Sequence, residues 1–490
     1  MKTKLTSNPK SPRALAALEM FGAKCLALTL LVATIFSSSA NGQATFTTIY
    51  RFPGDVEGAY PSGGLVEGAD GNFYGATQSG GSGGGDSGII YRVTPAGVKT
   101  TIHNFVQPGE GVIPQGEPVF GSDGRLYGVT KKGGTHDAGT VFKVTAAGVL
   151  TTLFNFDPYA TTGDYPATGL SEGRDGNFYG TTNLGDGTVC QVTPAGHVTT
   201  LHQFTNATYA NGQTLHGGVV QGADGNIYGT TVDGGTGHGT VFRVSPTGAF
   251  TVLYRFSGQG DGGEPEGNLI EGADGNFYGT TLGGQTLGTV FKITPAGVLT
   301  TLYTFTGDGA ADGAYPDNGV IQGSDGNFYG TTSGGGFSTG LGTIFQLTPH
   351  GVLKTLYHFT GGNDASGPNR LVQAADGSFY GTTRNPDRNQ TFFGSVFHLT
   401  VDGVGPQPTP TPPPHGGLSP TVFTVNESDT VTTPAVVDSI LRFRAVQTGT
   451  PADLIVRVQS SQTPAIESSW TYLPDGLSGR MVYAPQVTGY

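Results

Sequence analysis

The sequence predicts an all-β protein: a seven-bladed β-propeller of four-stranded blades closed by an N-terminal strand, plus a small C-terminal β module. Three observations lead there. The decapeptide "GADGNFYGTT" at residues 272–281 recurs in close copies, its Asp-Gly pair falling at Asp70, Asp123, Asp175, Asp224, Asp274, Asp325 and Asp376. The spacings of 53, 52, 49, 50, 51 and 51 residues mark one supersecondary unit stacked on its neighbours. The inner runs of each unit are apolar on both faces, and the last unit lacks a fourth run that the N-terminus can supply.

Residues 1–44 read as an export signal and its cleavage region. Lys2, Lys4, Lys10, Arg13 and Lys24 precede the apolar run "CLALTLLVATIF" (25–36), and "SSSANGQA" follows, placing cleavage after Ala40 or Ala44. The run is too short for a permanent bilayer span. Cys25 follows Lys24, a context that does not fit lipid attachment. Without the signal, Cys190 is the sole cysteine, so no internal disulfide can form. It stands in "GTVCQV" where other copies carry Phe ("GTVFKV") and reads as a small core residue.

Residues 45–404 form the repeat. The fifth unit divides into "NLIEGA", "NFYGTT", "GTVFKIT" and "VLTTLYTF". Asp274-Gly275 suits a type I′ hairpin, whose central residues both take positive φ, a conformation Asp tolerates. "TPAG" places Pro295 where a fixed φ is wanted and Gly297 where the turn closes. Phe277 and Tyr278 are neighbours, as are Val290 and Phe291, so both strand faces need cover. A sandwich buries one face of each sheet, whereas a propeller blade lies between two others. The seventh unit stops at "GSVFHLT", while "TTIYRF" (47–52) has no blade in front of it. Docking one on the other closes the ring and removes a sheet edge.

The consensus unit GLVEGADGNFYGTT…GTVFKVTPAGVLTTLYxF resembles the GloVer tandem repeat of exported bacterial proteins, the choice-of-anchor tandem repeat GloVer-containing family, over roughly residues 45–404. That family is defined by its repeat, so the resemblance implies no reaction and no catalytic residues. It implies a variable C-terminal anchoring segment; this chain carries no apolar terminal helix followed by basic residues. Residues 405–415, with "PQPTPTPPP" at 406–414, read as a semi-rigid polyproline linker. Residues 416–490 alternate in "ADLIVRVQSS" and "GRMVYAP", as a small, sandwich-like and possibly incomplete β module does.

Function is bounded by composition. The 84 Gly and 30 Pro are periodic, and a net charge of −12 argues against nucleic acid and anionic membrane surfaces. A group present in every blade cannot mark one site, so function belongs where the copies differ. The tight first-to-second and third-to-fourth turns share one rim; the long, variable loops share the other. Those loops hold Asp55, Glu57, Tyr60, Asp164, Tyr165, Asp261, Glu264, Glu266, Asp308, Asp312 and Tyr315 as candidate ligand-binding residues. As turn formers they have a purely structural reading; as a site, they offer aromatic platforms for sugar rings or carboxylates for Ca²⁺ or a cationic partner. No spacing matches an EF-hand, and no cofactor is expected beyond that weak Ca²⁺ signal. His103 and His202 fill Tyr/Phe slots, and His136, His216 and His238 reach the variable face. Arg370, Arg384 and Arg388 on that face all come from the seventh unit, unlike an arginine cluster built from several blades. The sequence therefore predicts an exported, secreted or surface-associated monomeric ring that binds an extracellular glycan or protein without catalysis. A polysaccharide hydrolase or lyase using paired carboxylates near the axis is the alternative, and a structural spacer the third.

Overall fold

The computed structural model describes residues 44–106, 109–159, 163, 165–183, 187–204, 211–212, 214–307, 312–335 and 340–407, with five further short strands. The proposed signal up to residue 43, together with Asp164 and Asp308, lies outside the described residues. Seven antiparallel sheets follow one another along the chain, and no α-helix occurs among the described residues. The fifth blade is typical: Ile270–Glu271, Phe277–Thr281, Thr289–Ile293 and Leu299–Thr304 pair in that order. In the first and seventh blades the inner strand is split into two short pieces, both paired to the second strand.

The closing strand lies where the missing run required it. Ala44–Arg51 pairs antiparallel with Ser395–Val401, Ala44 facing Val401 and Arg51 facing Ser395. Phe46 of this strand stacks on Tyr357 of the sixth blade at 3.8 Å, as an outer strand must to cover the blade junction.

Both apolar faces are consumed between blades. At five of the seven junctions the Tyr before the repeated Gly packs on the Phe of the next blade, as Tyr127 on Phe178 at 4.2 Å, Tyr228 on Phe277 at 3.9 Å, and Tyr380 on Phe73 at 3.8 Å across the closure; Tyr74 and Tyr179 instead precede blades that carry Leu126 and Ile227 there. Such pairs contribute roughly 0.5–1.5 kcal/mol each beyond burial. The Gly of "FYG" lies under the Phe of the third strand; a Cβ on Gly229 would come within 2.6 Å of the Phe242 ring. In the third blade Cys190 takes that Phe's place opposite Gly180, fully buried, and burial pushes its thiol up to about 12. It is a core residue, as its slot implies.

The Asp-Gly turn differs from the expected type I′ hairpin. Gly272 N–H donates to Asn276 O and Gly275 N–H to Gly272 O, enclosing a three-residue loop in which only Gly275 has positive φ. This is a type I turn closed by a glycine bulge. Asp274 is therefore not selected for a left-handed backbone. Its Oδ1 accepts the Asn276 N–H, and its Oδ2 accepts the Asn276 amide and the Tyr278 hydroxyl at 2.8 and 2.9 Å. The Asp–Tyr bond repeats in the first six copies. The "TPAG" turn forms as expected, with Gly297 N–H donating to Thr294 O.

Beyond the ring, Val404–Gln407 turns across the tight-turn rim: Gly405 O accepts from Ser324 Oγ, and Gln407 reaches Gln373. In the C-terminal module, Leu454–Val458 pairs with Thr421–Thr424 and Ile466–Glu467, and Ile440–Phe443 pairs with Gly479–Val482.

Candidate functional site

The chain enters each inner strand through the same pair of residues, a left-handed residue and then, in six blades, a proline. Tyr60, Ile113, Tyr165, Thr214, Glu264 and Tyr315 have φ of 51–60°, and Gly367 has 63°. In six blades the N–H of this residue donates to the second-to-third loop of the preceding blade, as Tyr60 does to Phe393 O at 2.8 Å and Glu264 to His238 O at 2.9 Å. The proline then packs on the glycine before the neighbour's third strand: a Cβ on Gly239 would fall 2.7 Å from Pro265 Cδ. Four candidate residues, Tyr60, Tyr165, Glu264 and Tyr315, thus owe their positions to a scaffold contact that recurs in six blades. Their side chains stay on the loop-rich face, Tyr315 with 42% exposure, each at its own junction.

Two more candidates are internal staples. Asp261 accepts from Tyr254 Oη, Ser257 Oγ and Ser257 N–H; Asp312, 3% exposed, does the same with Tyr303, Thr306 and Gly307. Burial and the facing carboxylate push both tyrosines up to about 12. The lone pairs of both carboxylates are occupied within their own loops, which is the turn-forming role that the sequence also offers for them. Asp364 repeats the motif on Tyr357, and His103 on Glu110 fills the same slot. His202 packs flat on Phe250 at 4.0 Å, a core substitution. Glu57 pairs with Lys99 of the first blade's outer strand at 2.6 Å, and Asp55 caps the same loop through the Glu57 N–H, so both lie at the periphery. Of the nine candidates among the described residues only Glu266 reaches the axis.

The axis itself holds a channel of about 570 Å³ lined by all seven blades. Its walls are the residues just after the Pro, or after Leu215 in the fourth blade: Ser62, Gln115, Ala167, His216, Glu266 and Asp317, with Gly64, Glu117, Gly169, Gly218 and Asn268 two residues on and Arg370 from the seventh blade. Here the copies differ while the phrase around them repeats. Arg370 reaches past the glycines of the first blade to Glu117 of the second at 3.0 Å. His216 meets Glu266 at 3.2 Å, and Arg384 pairs with Asp317. The Glu266 hydrogen bond raises the His216 pKa above its ordinary value, whereas burial raises the Asp317 carboxyl despite its guanidinium partner.

At the tight-turn end a second column repeats and is structural. Glu67, Glu172, Gln221, Glu271, Gln322 and Gln373 each accept the N–H of the preceding blade's Asp-Gly turn, at 2.7–3.1 Å. Only the second blade departs, with Phe120 edge-on to Tyr74 instead. Arg174, on this rim, pairs with Glu271. Among the described residues no three His, Cys, Asp or Glu side chains gather as a metal-binding set, and no helix is long and apolar enough to cross a membrane.

A closed ring of repeated blades with a single non-repeating axial lining defines a propeller repeat protein. The chain matches the Gloeobacter/Verrucomicrobia repeat over residues 31–235 and 183–397, and it belongs to that family. No curated protein matches. Among solved structures it is similar to XC5397 from Xanthomonas campestris, described as a gluconolactonase, at 12% identity and TM-score 0.38, covering 73% of this chain and 90% of that one. A putative gluconolactonase has 12% identity and TM-score 0.39, with 76% and 95% covered. A putative oxidoreductase (glucose dehydrogenase) from Thermus thermophilus has 15% and 0.38, with 73% and 100% covered. At these values the names carry nothing over to this chain.

Proposed function

We propose that this is an exported, secreted or surface-associated binding protein that holds an extracellular glycan or protein without catalysis, at the axial mouth of its loop-rich face. One observation carries the reading: the turns, stacks and latches of the scaffold recur from blade to blade, yet the chain becomes non-repeating and polar or charged where Gln115, Glu117, His216, Glu266, Asp317 and Arg370 line the channel. A rigid frame with a variable centre is how a repeat protein makes one site from many copies. Retention of the purified chain on glycan and protein arrays, lost when Glu266→Ser and Asp317→Ser are combined, is the expected result; no retention on any array favours a structural spacer.

A second reading, a polysaccharide hydrolase or lyase, draws on Asp317 and Glu266 of adjacent blades. Burial favours the protonated form of Asp317, and the neighbouring Glu266 charge adds to it. A carboxyl pushed toward its protonated form beside a second carboxylate is the arrangement that acid–base chemistry on glycosides uses. New reducing ends on incubation with polysaccharides, abolished by Asp317→Asn, would establish this reading over the first.

A further inference from the structure

Resting on the axial mouth as a binding site, we infer that its ligand carries an ammonium and a carboxylate together, as a zwitterionic residue of a glycan or a peptide does. The upper channel is walled by three ion pairs: His216–Glu266, Arg384–Asp317 and Arg370–Glu117. Ser62, Gly64, Ala167 and Gly169 of the first and third blades carry no charge, so at the loop-rich end charge gathers on blades four to seven and on Glu117 of the second, while Glu172 and Arg174 of the third blade and Glu271 of the fifth line the channel nearer the tight-turn end. A pure cation entering here would take the carboxylates and leave part-buried guanidinium groups without partners; a pure anion would do the reverse. A zwitterion exchanges partner for partner, its ammonium on the Asp317–Glu266 side and its carboxylate on Arg370.

Two further observations point the same way. Arg370 Nε is buried and has no hydrogen-bond acceptor, so its guanidinium has bonding capacity that Glu117 does not fill. Among the described residues no Phe, Tyr or Trp lines the channel, which leaves a neutral sugar ring without the broad stacking platform it would use. The volume of about 570 Å³ is that of a small-molecule site.

The test follows the melting temperature of the full chain with muramic acid and triglycine as zwitterions of the two sources. Glucosamine, glucuronate and glucose serve as cation, anion and neutral controls at matched ionic strength. A saturable rise with either zwitterion and none with the controls is expected, and the responding probe identifies the source. Ala167→Phe fills the channel from the bare wall without touching an ion pair, and Arg370→Gln removes the carboxylate partner. Each is expected to weaken the response about tenfold or more, with the melting of the free Ala167→Phe chain unchanged. A response to a single-charge or neutral probe equal to that of the zwitterions overturns the inference while leaving a binding function standing. Silence with every probe overturns it too, and binding itself is then decided by the arrays.

Discussion

The aspartate that opens each turn is held by what its carboxylate accepts. At Asp224 two backbone and side-chain bonds from Asn226 and one from the Tyr228 hydroxyl converge. Burial pushes the carboxyl up, but these bonds outweigh it and hold the pKa below the ordinary value, as they do at Asp70. Such a group contributes stability above the usual carboxylate range and loses it as pH falls through the folded value. Asp224→Ala should cost about 2 kcal/mol by urea unfolding near neutrality, mostly from the orphaned tyrosine, and should make the loss of stability in acid less steep. His216 has the opposite sign. Its pKa is raised by Glu266, so its stabilisation is present below the ordinary histidine value and lost as pH rises through the folded one. The gap in melting temperature between the wild type and His216→Gln should therefore be larger at about pH 5.5 than at about pH 8.5.

At the scale of the element, identical glycines do different jobs, and a single methyl group separates them. Gly275 closes its turn with nothing within 4 Å of where a Cβ would sit, so Gly275→Ala meets only the left-handed backbone penalty, about 1 kcal/mol. Gly239, φ 88°, is wedged between the Thr231 carbonyl and Pro265 of the next blade. Gly239→Ala should cost roughly 3 kcal/mol or more, and comparison of the two denaturation midpoints checks the difference. Strand order, both turn positions and the stacked Phe and Tyr were legible because they recur with a fixed period. The turn type was not, because "DG" serves a two-residue and a three-residue loop alike, and only the Asp–Asn–Tyr spacing tells them apart. The left-handed residue before each proline was hidden as well, since local sterics disfavour it and only the bond to the preceding blade selects it.

For the whole molecule, closure turns a chain of modules into one cooperative unit. Besides the strand pairing at Ala44–Arg51, the seventh blade is tied to the first by Ala375 N–H on Glu67 and Asn369 Nδ2 on Pro61 O. Removing residues 44–51 bares the edge at Ser395–Val401 and should replace a single sharp thermal transition with a broad or multiphasic one in calorimetry. Sequence reasoning located the ring and its closing strand, but placed the candidate site in the long loops, whose acidic and tyrosine content drew attention. The axial lining escaped because it is three residues long and lies inside the repeated phrase, between Pro and the first apolar position. Aligning the copies exposes it: Ser-Gly-Gly, Gln-Gly-Glu, Ala-Thr-Gly, His-Gly-Gly, Glu-Gly-Asn and Asp-Asn-Gly for the first six, with Asn369-Arg370 one residue shorter in the seventh.

The central claim is that the repeat builds the frame and its axial exceptions bind. The triple change His216→Ser, Glu266→Ser and Asp317→Ser gives these positions the residue the first blade already has at Ser62. The account predicts a melting temperature within a few degrees of the wild type and loss of retention on glycan and protein arrays. Retention that survives in the folded triple variant, or a ring that no longer folds, would contradict it.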